Sequence, residues 1–286
     1  MQSKVCLNIA VDHRMRALFK PVIVNRGTPS QHVSQIQSLG EALGRSREEV
    51  QVTSELAGPA VRGGIVVTLQ QPRDNHPYED GIDRVIDDCQ TLYALDEIFR
   101  VVSCETLDIR TDISIVDLLP YVSEKISRVN ETDLNHLFRQ TRQAICEKQP
   151  DIVLCAGRIW LSEPEDPRDL KRHVRHLESI GVGRVFSQEF GNPSKIRVGV
   201  QGDDEHFIFK KVNGFHPSFA MNHHPHISLL RQLLILVCAE ACGILRGDWE
   251  DLKWTSELKS RCRKLSKCLS GTTVLTFPTH GLLDPL

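Results

Sequence analysis

Along the chain, short unbroken apolar runs alternate with amphipathic stretches. The segment "QHVSQIQSLGEALGR" (31–45) spaces its apolar positions as a short helix does. "GGIVVTL" (63–69) is a β-branched run behind two glycines and predicts a buried strand. A Pro-bearing loop follows, then a helix over 80–95 and apolar runs at 98–103 and 112–119. The spacing predicts another helix over 131–148, ended by Pro150, and "DIVLCAG" (151–157) reads as a second buried strand. The interval 158–200 is polar and includes the basic helical stretch "LKRHVRHLESIG". "HFIFKKV" (206–212) alternates as a strand does, and a loop leads from it into an apolar helical run around 227–245.

Near-continuous apolar strands separated by helices predict an α/β protein: a three-layer α/β/α sandwich on a mainly parallel central sheet. The expected division is a helical or irregular region over 1–60 packed on the core, an α/β domain over 61–250, and a basic helical extension over 251–286. In such sheets ligands sit beyond the carboxyl ends of the strands. The loops leaving strands at 70–79, after 119, at 156–160 and at 213–219 are therefore the places to look for chemistry.

Composition narrows the classes. With 286 residues and 40% hydrophobic content, the chain can bury a large core, and its net charge of −2 provides no global pull toward nucleic acid or anionic membrane. No apolar run reaches the roughly 18 residues of a spanning helix, because Arg231, Gln232 and Glu240 interrupt the best one. The first residues carry no apolar core of a secretory leader. Nine cysteines, an odd number in a chain of this size, fit a reducing compartment and burial as small hydrophobes. The expectation is an intracellular protein of nucleus or cytoplasm, with oligomeric state left open.

Several chemistries lack their motifs. There is no G-x-S-x-G elbow, no G-x-x-x-x-G-K-[ST] and no G-x-G-x-x-G after a strand. "CAEAC" puts Cys238 and Cys242 one helical turn apart, but in the middle of an apolar face, so they are expected in the core and not on zinc. No metal or cofactor is expected. His223, His224 and His226 read as exposed residues at a helix start.

Four segments, taken in order, resemble the uracil-DNA glycosylase superfamily: "IVVTLQQP" (65–72), "SIVDLLP" (114–120), "QPDIVLCAG" (149–157) and "GFHPS" (214–218). Together they reach across roughly 65–245. The resemblance implies a domain that takes a flipped or single-stranded nucleobase into a pocket and breaks its N-glycosidic bond. It implies that His216 donates to negative charge growing on the departing base, the electrostatic task of an oxyanion hole. It implies that the first-loop residue, here Gln71, holds the attacking water. Asp117 would face the base edge, with Pro72 and Gly157 lining the pocket, and Ser218 and Phe219 or Met221 would meet the DNA backbone or wedge into the stack. DNA is the implied partner.

The sequence departs from that pattern where catalysis is decided. The first loop reads Leu69-Gln70-Gln71-Pro72, without the family's glycine and with Gln71 in place of Asp or Asn. A glutamine can orient a water but is no base. A second register is open, since "NHPYED" (75–80) resembles the Asp-Pro-Tyr-His form with His76 in place of the acid. Asp74 and Asp80 are spare carboxylates, either near the site or solvated. An ionised Asp117 only accepts hydrogen bonds, so it would favour an exocyclic amino group over the O4 of uracil; alternatively it caps the turn after its strand. His216 and Ser218 might equally organise a turn at a helix start. Basic stretches at 168–176 and 259–267, the latter near Trp254, are candidate phosphate contacts or solvated helix faces. Two functions remain open: a base-releasing hydrolase, or an inactive glycosylase-like binding or interaction module.

Overall fold

The computed structural model describes residues 27–124, 128–156, 194–199, 206–213 and 216–221, with a few single positions from 238 to 260. Two helices come first, α1 (His32–Ala42) and α2 (Arg47–Ala57). Strand β1 (Ile65–Leu69) leads through a loop and a 3-10 turn (Tyr78–Asp80) into α3 (Gly81–Asp88) and α4 (Gln90–Ser103). Then come β2 (Ile113–Asp117), α5 (Glu131–Lys148), β3 (Ile152–Cys155), β4 (Ser194–Gly199), β5 (His206–Asn213) and a 3-10 turn over Pro217–Ala220.

The strands lie in the order β2-β1-β3-β5-β4. The first four are parallel, and β4 runs antiparallel on β5. In register, Leu69 sits beside Asp117, and Thr68 beside both Val116 and Cys155. β1 is central and buried on both faces, which is why its sequence is continuously apolar instead of alternating. It is entered through Gly63 and Gly64, both at positive φ, and the Gly64 N–H donates to Asp151 Oδ2 at 2.8 Å. A side chain at either glycine would strain that entry.

Two cores flank the sheet. Val67, Leu69 and Ile115 point to one side, against Ile86, Leu95, Ile98 and Phe99 of α3 and α4. Val66, Val116 and Val153 point to the other, against Ile36 of α1 and Leu137, Phe138 and Ile145 of α5. Each fully buried side chain of this size stabilises the fold by about 1.5–3 kcal/mol relative to exposure. The expected three-layer α/β fold is the one observed. Helices α1 and α2 supply residues to these cores: α2 gives Val52 to one and Val50 and Ala57 to the other.

The elements differ from expectation in three places. The helix expected over 80–95 breaks at Cys89, whose extended backbone (φ −96, ψ 110) divides α3 from α4. α4 then runs on through the 98–103 stretch, because Leu92, Leu95, Ile98, Phe99 and Val102 recur at helical spacing and all reach the core. β4 lies inside the interval read only as polar; it is an antiparallel edge strand and needs no continuous apolar run. Helix α2 was not anticipated, although Ser46 caps it by accepting from the Glu49 N–H at 3.1 Å. Among the described residues, no helix is long and apolar enough to cross a membrane.

Candidate functional site

A cleft of about 1460 Å³ opens at the carboxyl ends of the parallel strands. It gathers Gln71 and Pro72 from the β1 loop, Asp117 from the end of β2, and His216, Ser218 and Met221 from beyond β5. The topology explains why: parallel strands end on one edge, so loops more than 140 residues apart in sequence open onto the same space. Gly157 and the basic stretches 168–176 and 259–267 lie essentially outside the described residues. Phe219 stands in the 3-10 turn after His216. Met221 is half-buried and packs against the apolar core.

The first two loops are zipped together beyond their strands. The Leu118 N–H donates to Leu69 O at 3.0 Å, and the Leu119 N–H to Gln70 O at 2.9 Å. Gln71 continues the zipper with its side chain. Its Nε2 donates to Val122 O at 3.2 Å and to Glu124 O at 3.1 Å, while its Oε1 accepts from Gln70 Nε2 at 3.3 Å. Both amide protons and one carbonyl lone pair are therefore committed to holding loops. Leu69, where the resemblance would have glycine, buries its side chain in the core and lines the cleft from there.

His216 has extended backbone at the start of its turn, with Pro217 following as the first turn residue. Its Nδ1 lies 2.7 Å from Ser218 Oγ, so Ser218 pairs with the ring instead of capping a helix. Burial pushes the imidazole down to about 4, which keeps it neutral at physiological pH. With Nδ1 accepting from the hydroxyl, Nε2 carries the proton and is the ring's remaining donor.

Asp117 is the least satisfied group in the cleft. Its Oδ1 is buried and has no hydrogen-bond partner, so no turn cap is made through that oxygen. Desolvation raises its pKa to about 7. A buried polar atom without a partner costs about 1–3 kcal/mol, more if charged.

A second such atom belongs to a residue of the less favoured register. His76 accepts the Arg73 backbone N–H on Nε2 at 3.2 Å, and its Nδ1 is buried with no partner. Burial and the neighbouring Arg73 charge push its pKa down to about 4. Its ring stands edge-on to Tyr78, centroids 5.5 Å apart. Both residues line the cleft. The segment "NHPYED" thus reaches the site together with the Gln71-Pro72 pair. Asp74 is exposed at the rim, and Asp80 stands exposed in the 3-10 turn.

The rim is acidic. Asp74, Asp87, Asp88, Asp117 and Glu124 line the cleft against Arg73 and Arg84, and Arg73 is paired with Asp88 at 3.4 Å. Away from the cleft, Cys238 is buried in the core with Cys242 packed against it, and burial raises both thiol pKa values.

Fold and cleft together define an α/β protein with a nucleoside-sized recess at the carboxyl edge of its parallel strands. Compared with known proteins, the chain matches no protein-family model, and no curated protein is similar to it at a significant level.

Proposed function

We propose that this cleft binds a nucleobase, in the manner of a glycosylase-like protein, without hydrolysing its glycosidic bond. The observation that carries the reading is the state of Gln71. Its amide protons go to the carbonyls of Val122 and Glu124, so the residue works as a staple between loops and is no base. Around it the recess keeps the polar groups a base would use: the neutral His216 ring held by Ser218, and Asp117 with an unpartnered oxygen. The acidic rim disfavours phosphate, which supports an extruded base or a nucleoside as ligand over a duplex laid across the cleft. DNA as the partner rests on the four-segment resemblance alone.

Hydrolysis keeps one observation in its favour. A carboxyl raised to about 7 is well matched to general acid–base work at neutral pH, and Asp117 lines the recess. Base release from labelled oligonucleotides carrying uracil, hypoxanthine, xanthine or oxidised pyrimidines separates the two. The expected result is no release from single or double strands, with nucleoside binding that is lost in His216→Ala. Release that disappears in His216→Ala or Asp117→Asn would establish a hydrolase and overturn the binding-only reading.

A further inference from the structure

We infer that the recess selects an amino group beside an unprotonated ring nitrogen, as on cytosine or adenine, with Asp117 and His76 reading the two atoms as a pair. The inference rests on the nucleobase reading above and specifies its ligand class. Its basis is that the cleft holds two buried side-chain atoms without partners and that their demands are complementary. Asp117 Oδ1 needs a donor. His76 Nδ1 needs an acceptor, because the Arg73 backbone N–H occupies Nε2 and so leaves the ring proton on Nδ1.

The two groups border the same residue. The His76 ring packs edge-on against Tyr78, and the Asp117 charge is felt by the Tyr78 hydroxyl. Asp117 is fixed at the end of β2 by its register with Leu69, and His76 by its bond to the Arg73 main chain. The pair is thus preorganised on a strand end and a backbone-held loop, instead of waiting to be ordered by the ligand. An amino group can donate to Asp117 while the adjacent ring nitrogen accepts from His76. A uracil or hypoxanthine edge reverses both demands: its carbonyl meets the carboxylate, and its ring N–H meets the histidine N–H. Sites built on such pairing reject the mismatched analogue strongly, since the mismatch leaves buried polar groups unpaired.

The test uses the full chain at pH 8, where Asp117 is ionised, and four nucleosides in two matched pairs. Cytidine is expected to bind at least tenfold more tightly than uridine, and adenosine at least tenfold more tightly than inosine, by calorimetry or NMR titration. Asp117→Asn should erase or reverse the cytidine preference. His76→Phe, which keeps a ring against Tyr78 but removes the donor, should weaken cytidine and adenosine about tenfold. Equal or tighter binding of uridine and inosine by the unaltered protein overturns this inference and leaves the nucleobase reading standing. Binding of none of the four overturns both. Because the unaltered protein's selectivity decides the matter, a variant that fails to fold does not rescue the idea.

Discussion

Two polar clusters sit at opposite ends of the same parallel strands, and each contains a histidine that burial pushes down to about 4. At the amino ends, His32 donates from Nε2 to Ala57 O at 2.9 Å and accepts on Nδ1 from Ser30 Oγ at 2.9 Å. Beside it, the buried Lys148 Nζ donates to Val61 O at 2.6 Å and Pro59 O at 3.2 Å. At the carboxyl ends, His76 and Asp117 each bury an atom that has no partner. Similar chemistry and similar burial thus end in opposite bookkeeping. A closed set of hydrogen bonds ties the 57–61 segment to α5 and stabilises the fold. An open set costs stability in the empty protein, and the complement it lacks is the complement a ligand can bring.

The contrast breaks first at Lys148. Lys148→Ala removes the donor to two carbonyls and leaves a cavity under the 59–61 segment, so a loss of about 3 kcal/mol is expected. Urea denaturation measures it, and nucleoside affinity extrapolated to the folded fraction should not change. A loss under about 1 kcal/mol would mean that water satisfies those carbonyls equally well, and the amino-end cluster would no longer be a structural clamp.

The next largest effect has the opposite sign. Asp117→Asn is expected to stabilise the protein by about 2 kcal/mol above pH 7. The pKa of this carboxyl is about 7 in the folded state against 3.8 as its ordinary value. The folded state therefore binds the proton more tightly, and stability falls as pH rises from about 4 to 7, with the full penalty present above 7. About three units correspond to roughly 4 kcal/mol, and the unpaired Asn amide takes back part of the gain. Thermal melts of both proteins from pH 4 to 8 check the sign: the gain should be largest at pH 8 and vanish toward pH 4. A variant less stable than the parent at pH 8 would mean that Asp117 already has its partner.

How much of this was legible depends on what each feature needs from outside its own neighbourhood. β1, β2, β3 and β5 announce themselves because a strand buried on both faces must be apolar throughout, and Val66, Val67, Val116 and Val153 are. α5 shows both its ends, with Asn130 accepting from the Asp133 N–H at the start and Gln149 in a left-handed conformation before Pro150. The break at Cys89 carries no Pro or Gly to mark it. Of the cleft, the positions of Gln71, Asp117 and His216 followed from the rule that ligands sit beyond strand ends. Their bonding did not. Gln71 finds its acceptors 51 and 53 residues away, and the His76 tautomer is dictated by one main-chain N–H in a loop that turns through Asn75 at φ 59. Residue type told which groups could act; only the loop geometry told which were already occupied.

The smallest expected effect tests that last point on the residue that decides the reading. Gln71→Ala deletes the staple between the first and second loops. One of its two hydrogen bonds is half-buried and the other lies in the open, so water can replace much of what is lost, and the cost should be about 1 kcal/mol. Hydrogen exchange should rise at 118–124 while the α5 amides stay protected. Base release should remain absent before and after the change, since an amide whose protons are held by main-chain carbonyls activates no water. Gln71→Asp takes the comparison one step further: it removes both donors and returns a carboxylate to the loop where the resembling family carries one. Release that appears in Gln71→Asp and not in the parent would show a recess still shaped for hydrolysis and silenced at this one position.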